Sequence, residues 1–366
     1  MDIQKLDQTY VANTYARFPV TIVKGKGSLL WDENGKEYID LSTGIAVDIF
    51  GVADESWMAA VTAQLGTLQH ISNLFYTGPC AELAQMLCEK TGMKKVFFGN
   101  SGAEANECAI KTARKWSEDK KGKEYSTIIT LKNSFHGRTI TTLAATGQDV
   151  YHHDFLPLTE GFVYAEPNDI ADLEKLLNEN KCAAVMMEVV QGEGGVMPLD
   201  KDYVQAAAAL CKAHDVLLIC DEVQIGNGRS GMLYGYMTYG VQPDIVSTAK
   251  GLAGGLPLGA TLLGEKVQNV LDAGSHGSTF GGNPVCCVGA INVLSRLDDA
   301  MLQGVRERSA YIISELAGAP GVESVSGLGL MLGVKTKKPA ADVIAACREQ
   351  GVIVIKAKDK VRLLPA

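Results

Sequence analysis

The chain has 366 residues, enough to bury one large core with a smaller unit beside it. At 46% hydrophobic and 21% charged residues, its composition is that of an ordinary globular protein. A formal net charge of −8 argues against nucleic acid or an anionic membrane as the main partner, because both attract basic surfaces.

In chain order, the first residues are polar and lack a continuous apolar stretch, so no secretory signal is expected. Ser28–Trp31 and Glu37–Asp40 flank Asp32-Glu33-Asn34-Gly35, a hairpin signal. Short apolar runs predict strands at Val96–Phe98, Ser126–Leu131, Ala183–Val189, Val216–Cys220, Asp244–Thr248 and Gly259–Leu263. Helical patterns fall between them at Glu104–Trp116, Asp169–Glu179 and Lys201–Ala213, and the basic tract Lys115–Lys123 reads as a solvated helix end and loop. This alternation predicts an α/β fold with a mainly parallel sheet. Beyond it, a helix over Val285–Leu297 is followed by short strands around Val322–Val325, Leu330–Val334, Gly351–Ile355 and Lys360–Leu364. They read as a smaller α+β domain joined by the N-terminal hairpin. The expected division is residues 1–45 in the small domain, 46–273 in the large one and 274–366 in the small one again. No run of about 18 apolar residues occurs, so no membrane span is expected. Nine cysteines without a C-x-x-C pair suggest reduced core thiols and a cytoplasmic setting.

Four segments carry chemistry. In Asn100-Ser101-Gly102-Ala103-Glu104 a strand gives way to a helix, with a capping-box pattern at Ser101 and Glu104. The open first turn at Gly102 and Ala103 suits a phosphate, although a plain strand-to-helix turn has the same pattern. The strand Val216–Cys220 closes on Asp221-Glu222-Val223-Gln224, where α/β proteins place ligands. Asp221 there either caps a turn or pairs with a pyridinium nitrogen. A metal role is disfavoured, since no histidine pair with ligand spacing lies nearby, and His152-His153-Asp154 reads as surface. Lys250 ends an apolar strand before a Gly-rich loop. A lysine so placed is an imine-forming amine with a lowered pKa, or else it snorkels from the sheet edge. Gly277-Ser278-Thr279-Phe280-Gly281 offers close backbone approach and hydroxyl donors, or is a flexible loop. Neither a G-x-x-x-x-G-K-[ST] nor a G-x-G-x-x-G pattern follows a strand, which disfavours nucleotide binding.

Together these segments, with the runs TYARFPV, NSGAEANE, FHGRT, QGEGG, DEVQ, GRSG, PDIVSTAKGLAGGLPLGA and HGSTFGGNP, resemble the class III aminotransferases of pyridoxal-phosphate fold type I, and within them the acetylornithine branch. The resemblance runs from about Tyr15 to Pro365. It implies pyridoxal 5'-phosphate as cofactor, with Lys250 joined to it covalently, Asp221 at its ring nitrogen and Gln224 near its phenolic oxygen. Gly102, Ala103 and Thr279 are implied at the phosphate, Phe135 stacked on the ring, and Glu222 and Val223 beside them. Arg138 is implied at the distal substrate carboxylate. Ser278 and Thr279 are implied to serve a neighbouring subunit, hence a homodimer with shared active sites. Glu188 is implied to pair with Arg362 and to release it when glutamate binds, so that Arg362 takes the α-carboxylate. The activity implied moves the δ-amino group of N2-acetylornithine to 2-oxoglutarate, in arginine biosynthesis. The alternatives are another ω-amine aminotransferase (ornithine, succinylornithine or 4-aminobutyrate) or a catalytically silent cofactor-binding homologue. Tyr15, Arg17 and the loop Ile49–Asp54 are the candidates for the acyl-group contact. Departures from the family pattern stand at Gly51–Ser56, Val189 and Ile225. Relatives continue past Arg362 for another helix, so the small domain is expected to be incomplete.

Overall fold

A computed structural model describes residues 2–366. Its centre is a seven-stranded sheet, labelled here β1 (Lys95–Gly99), β2 (Thr127–Leu131), β3 (Phe162–Ala165), β4 (Cys182–Met187), β5 (Leu217–Asp221), β6 (Ile245–Thr248) and β7 (Gly259–Leu263). The spatial order is β1-β7-β6-β5-β4-β2-β3, and only β7 runs against its neighbours. Strands β4, β5, β6 and β7 are buried along their whole length. That is why they read as unbroken apolar runs rather than as alternating ones. The mainly parallel α/β sheet expected from the sequence is therefore observed.

Helices cover both faces. Gly102–Lys121 buries Ala105, Cys108, Ala109, Thr112, Ala113 and Trp116 against the sheet, the spacing of one helical face. Its last turn carries Lys120 and Lys121 before Gly122, so the basic tract is helix almost to its end. The edge strand β3 and the helices Glu55–Leu65, Gly78–Thr91, Asp299–Ala317 and Ala340–Glu349 have no counterpart among the predicted elements.

The N-terminal hairpin forms as expected, with Leu29–Asp32 antiparallel to Glu37–Asp40. Val352–Ile353 then adds in parallel to Glu37–Asp40, so the two ends of the chain share one sheet. A second antiparallel sheet joins Val322–Leu328, Met331–Thr336, Lys360–Leu363 and Ile355–Ala357 in that order. It stands over the carboxyl edge of the central sheet. Ser326 Oγ donates to the Val196 carbonyl at 2.8 Å, and Arg362 reaches the loops that follow β4 and β5.

Candidate active site

The carboxyl ends of β1, β4, β5 and β6 all point to one edge of the sheet, the place where open α/β sheets hold ligands. There they enclose a cavity of about 620 Å³, into which Gly102, Phe135, Glu188, Asp221, Gln224 and Lys250 project.

Asp221 is the last residue of β5 and is 4% exposed. Its Oδ2 accepts hydrogen bonds from Asn106 Nδ2 and His136 Nδ1, each at 2.8 Å, and its Oδ1 accepts from the Val223 N–H at 3.0 Å. A buried carboxylate this well supplied is satisfied and fixed in direction. Asn106 also donates to the His136 carbonyl at 2.7 Å. The opposite imidazole nitrogen of His136, Nε2, and Asn106 Oδ1 are buried without protein partners.

Lys250 follows β6 with φ of +47°, in the left-handed region that a side chain with Cβ avoids. It opens a short 3₁₀ turn, Lys250–Ala253, closed by Gly254. Such backbone strain persists only where the surroundings impose it, and here it aims a lysine into the cavity. Burial lowers the pKa of its amine, opposed by the charges of Asp221, Glu193 and Glu188. An amine whose charged form burial disfavours, facing a carboxylate, is suited to attack a carbonyl carbon and to carry a proton.

The helix after β1 starts at Gly102, with Ser101 Oγ accepting from the Glu104 N–H at 3.2 Å and Glu104 accepting from the Asn100 N–H. A Cβ at Gly102 would lie 2.6 Å from Val223 Cγ1, so only glycine lets this helix start pack against the loop after β5. The first N–H groups of a helix have no intrahelical acceptor and sit at its positive end, which suits a phosphate.

On the far side, Arg362 is 3% exposed. Its Nη1 lies 2.6 Å from Glu193 Oε1 and donates to Gln224 Oε1 at 2.8 Å, while Nη2 reaches Glu193 Oε2 at 3.4 Å. Arg138 stands at the mouth, exposed, with its guanidinium 4.2 Å from the Tyr151 ring centre and 5.5 Å from that of Phe135. Among the described residues it has no carboxylate partner, so its charge is free for a ligand.

The arrangement fits a phosphorylated aromatic aldehyde. It presents an amine for the aldehyde carbon, a held carboxylate for a ring nitrogen, an aromatic and a valine beside the ring position, and a helix start for the phosphate. A sequence profile of the family described as "Aminotransferase class-III" matches residues 10–366. The chain belongs to the class III aminotransferases. It is thus a pyridoxal-phosphate-dependent transaminase of fold type I.

Relatives in this family are similar over nearly the whole length. An acetylornithine aminotransferase from Haemophilus ducreyi is 51% identical, covering 99% of this chain and 93% of the relative. A succinylornithine transaminase from Yersinia pseudotuberculosis is 42% identical, covering 99% and 91%. The crystal structure of an ornithine aminotransferase from Toxoplasma gondii superposes with a TM-score of 0.95 at 33% identity, covering 100% of this chain and 89% of that one.

Within this class III fold, several residue expectations are corrected. Glu188 does not touch Arg362. It is buried in the cavity lining, where its Oε2 accepts from the Phe135 N–H at 2.9 Å, and Glu193 takes the arginine instead. Two acids stand five positions apart in Glu188-Val189-Val190-Gln191-Gly192-Glu193, and their order alone does not say which faces β-strand Lys360–Leu363. Glu222 does not line the cavity, because its side chain turns away from that of Asp221 and accepts the Gly235 and Tyr236 N–H groups at 2.7 and 2.8 Å. Tyr15 lines the cavity, but Arg17 is held by Asp7 at 2.8 Å, and the loop Ile49–Asp54 borders other cavities. Ser278 and Thr279, expected at a neighbouring subunit's site, lie outside this cavity, with Ser278 Oγ accepting from Asn100 Nδ2 at 3.1 Å. His136, Asn106 and Glu193 were not singled out from the sequence. All three sit inside the runs FHGRT, NSGAEANE and QGEGG, and a buried polar residue at helix position i+4 from Gly102 was the available signal for Asn106.

Proposed function

We propose that this enzyme moves the δ-amino group of N2-acetylornithine to 2-oxoglutarate, in the cytoplasm and in the service of arginine biosynthesis. The observation that carries this reading is the state of the two arginines. Arg138 is free for a carboxylate at the cavity mouth, whereas Arg362 is covered by Glu193 and Gln224. A substrate with one free carboxylate finds one free cation. A dicarboxylic partner such as 2-oxoglutarate or glutamate needs both, and draws Arg362 away from Glu193. The pair of half-buried Glu193 and buried Arg362 supplies the exchangeable partner such a switch requires. The similarity to acetylornithine aminotransferases supports the assignment.

Pyridoxal phosphate supplies, when bound, an aldehyde carbon and a protonated ring that accepts the electron pair left by a broken C–H bond. Lys250 Nζ would hold that aldehyde carbon and, as the nearest amine, would carry the proton to and from the substrate carbon. Asp221, fixed by Asn106, His136 and the Val223 N–H, would face the ring nitrogen and stabilise its protonated form. The helix start at Gly102 and Ala103 would take the phosphate, Phe135 and Val223 would flank the ring, and Gln224 would hold its oxygen.

A homodimer belongs to the same proposal, with the large unit spanning residues 46–273. Leu74, Phe75, Tyr76 and Phe280 form an exposed apolar group. Asn73 Nδ2 pins their loop to the carbonyls of Ser278 and Gly281 at 3.0 and 2.9 Å. A second subunit covering that group would receive Ser278 and Thr279 at its own cavity. No helix among the described residues is long and apolar enough to cross a membrane.

Steady-state kcat/KM with 2-oxoglutarate as acceptor tests the assignment across N2-acetylornithine, N2-succinylornithine, ornithine and 4-aminobutyrate. Acetylornithine is expected to lead. A clear preference for any other donor would replace it, and succinylornithine is the named competitor because a succinylornithine transaminase is 42% identical.

A further inference from the structure

Between the strand Glu37–Asp40 and the helix Glu55–Leu65, four successive residues have left-handed backbone. Thr43, Gly44, Ile45 and Ala46 have φ of +47°, +62°, +67° and +63°. Residues with a Cβ ordinarily visit this region singly, so a run of them persists only where its surroundings impose it. Thr43 is the fixed point of the run. It is 2% exposed, and each of its polar groups is engaged. Its N–H donates to Asp40 Oδ1 at 3.0 Å, and its carbonyl accepts from the Val47 and Asp48 N–H groups at 2.8 and 3.0 Å. Its Oγ1 donates to the Leu364 carbonyl at 2.6 Å. Leu364 lies two residues beyond Arg362, and its own N–H donates to the Leu41 carbonyl at 2.7 Å.

The far end of the turn meets the loop that bears Lys250. A Cβ at Gly251 would lie 2.8 Å from Ile49 Cγ2 and 3.3 Å from the Ala46 carbonyl oxygen, so this loop rests directly on residues 46–49. Further along it, Trp57 Nε1 donates to the Ala253 carbonyl at 3.1 Å. Val47 lines the cavity, whereas Thr43 is not among its lining residues.

Resting on the reading of Lys250 as the cofactor's lysine, we infer that Thr43 is a positioning residue. Its hydroxyl ties the end of the strand bearing Arg362 to the left-handed turn that supports the loop bearing Lys250. The amine and the rim arginine are thereby set at one spacing, while the long arginine side chain stays free to change partners. Thr43 acts through the backbone of Leu364 and of residues 46–49.

Thr43→Val keeps the branched shape and removes the donor, whereas Thr43→Ser keeps the donor. Tyr164→Phe is the control, since it deletes another hydroxyl-to-carbonyl bond of 2.6 Å, made to Ala144 from the edge strand Phe162–Ala165. Amide hydrogen exchange is read by mass spectrometry on the full chain without cofactor, over residues 249–256 and 361–364. The Val variant should exchange about tenfold faster in both segments, since the Leu364 carbonyl loses its donor and the turn is released. With pyridoxal phosphate added, its kcat should fall about tenfold in both half-reactions, and the visible circular dichroism of the bound cofactor should weaken. The Ser variant should stay within about threefold of wild type, since its hydroxyl still donates. Tyr164→Phe should match wild type in both segments. Unchanged exchange at 249–256 in the Val variant overturns the inference, and so does a rise confined to 361–364. Equal losses in the Val and Ser variants overturn it too, as does an equal rise in Tyr164→Phe, which would assign the effect to general loosening. Faster exchange in both segments with unchanged dichroism and kcat would overturn the positioning role and leave a structural tether. The exchange measurement needs no substrate, so a wrong donor assignment would leave this comparison intact.

Discussion

The carboxyl edge of the central sheet and the rim supplied by the small C-terminal sheet meet at one cavity, but they are built by different means. On the edge, Asp221 and Lys250 follow buried parallel strands directly, and backbone geometry fixes them: three donors hold the aspartate, and a left-handed turn aims the lysine. On the rim, Arg362 comes from a separate antiparallel sheet and is placed by long side chains, Glu193 and Gln224, reaching from loops. Rigid strand ends suit atoms that must stay within a fraction of an ångström of a reacting carbon. An ion pair between loops and a second sheet suits a part that must exchange partners. On the proposed function, the chemistry belongs to the first region and the choice of substrate to the second.

Loss of an edge residue should therefore abolish turnover whatever the substrate. Lys250→Ala is expected to lower kcat by about 10⁴-fold with every donor, since it removes both the covalent hold and the proton carrier. Borohydride treatment followed by peptide mass spectrometry should label wild type at the peptide containing Lys250 and leave the variant unlabelled. Label on another lysine, or retained turnover, would reassign the site. Asp221→Ala should still take up cofactor but lose about 10² to 10³ in kcat, the usual cost of removing a preorganised charge. It should lose them equally for donor and acceptor, which is checked by single-turnover rates of the two halves.

A rim residue should instead separate the substrates. Glu193→Gln removes the charge that neutralises Arg362 and leaves only neutral acceptors, Gln224 among them, beside the guanidinium. The ratio of kcat/KM for acetylornithine to that for glutamate should then fall about tenfold, because a free cation at that place holds the wrong end of a monocarboxylic donor. The measurement is the two specificity constants at one pH. A uniform loss across both substrates would mean that the rim is as rigid as the edge and that the two regions do not divide the work.

Much of the edge is legible in the amino-acid order alone. Six of the seven central strands end within two residues of their predicted bounds, because buried parallel strands leave unbroken apolar runs. Lys250 and Asp221 stand out because a charged residue closing such a run has few structural excuses. The unpredicted strand Phe162–Ala165 lies at the sheet edge, half-buried on three of its four residues, and has no such run. The rim is harder to read for a related reason. Which of Glu188 and Glu193 meets Arg362 depends on how one turn folds against a strand about 170 residues later, and local periodicity carries no information at that range. His136 and Asn106 escape notice because each looks like an ordinary polar residue until the fold brings it to Asp221.

Glu222 gives the mildest test, and one confined to stability. It follows Asp221 directly, but its carboxyl group is buried against the Gly235 and Tyr236 N–H groups on the other side of the chain. Burial raises its pKa to about 8, those two N–H groups pull it down, and the neighbouring Asp221 charge adds to the rise. Raised in the fold above the 4.5 of a free side chain, it is protonated in the folded state and ionised in the unfolded state across that interval. The folded state then binds the extra proton, so stability falls as pH rises from about 4.5 to about 8 and levels off above, at up to about 1.4 kcal/mol per pH unit. Glu222→Gln removes this slope and keeps one acceptor oxygen, whatever constant offset the change brings. Thermal melts of both proteins from pH 5 to pH 9 should show wild type losing its advantage as pH rises, with turnover at fixed pH nearly unchanged. Parallel melting curves would show that Glu222 stays ionised in the fold. A large loss of turnover would return it to the catalytic edge beside Asp221.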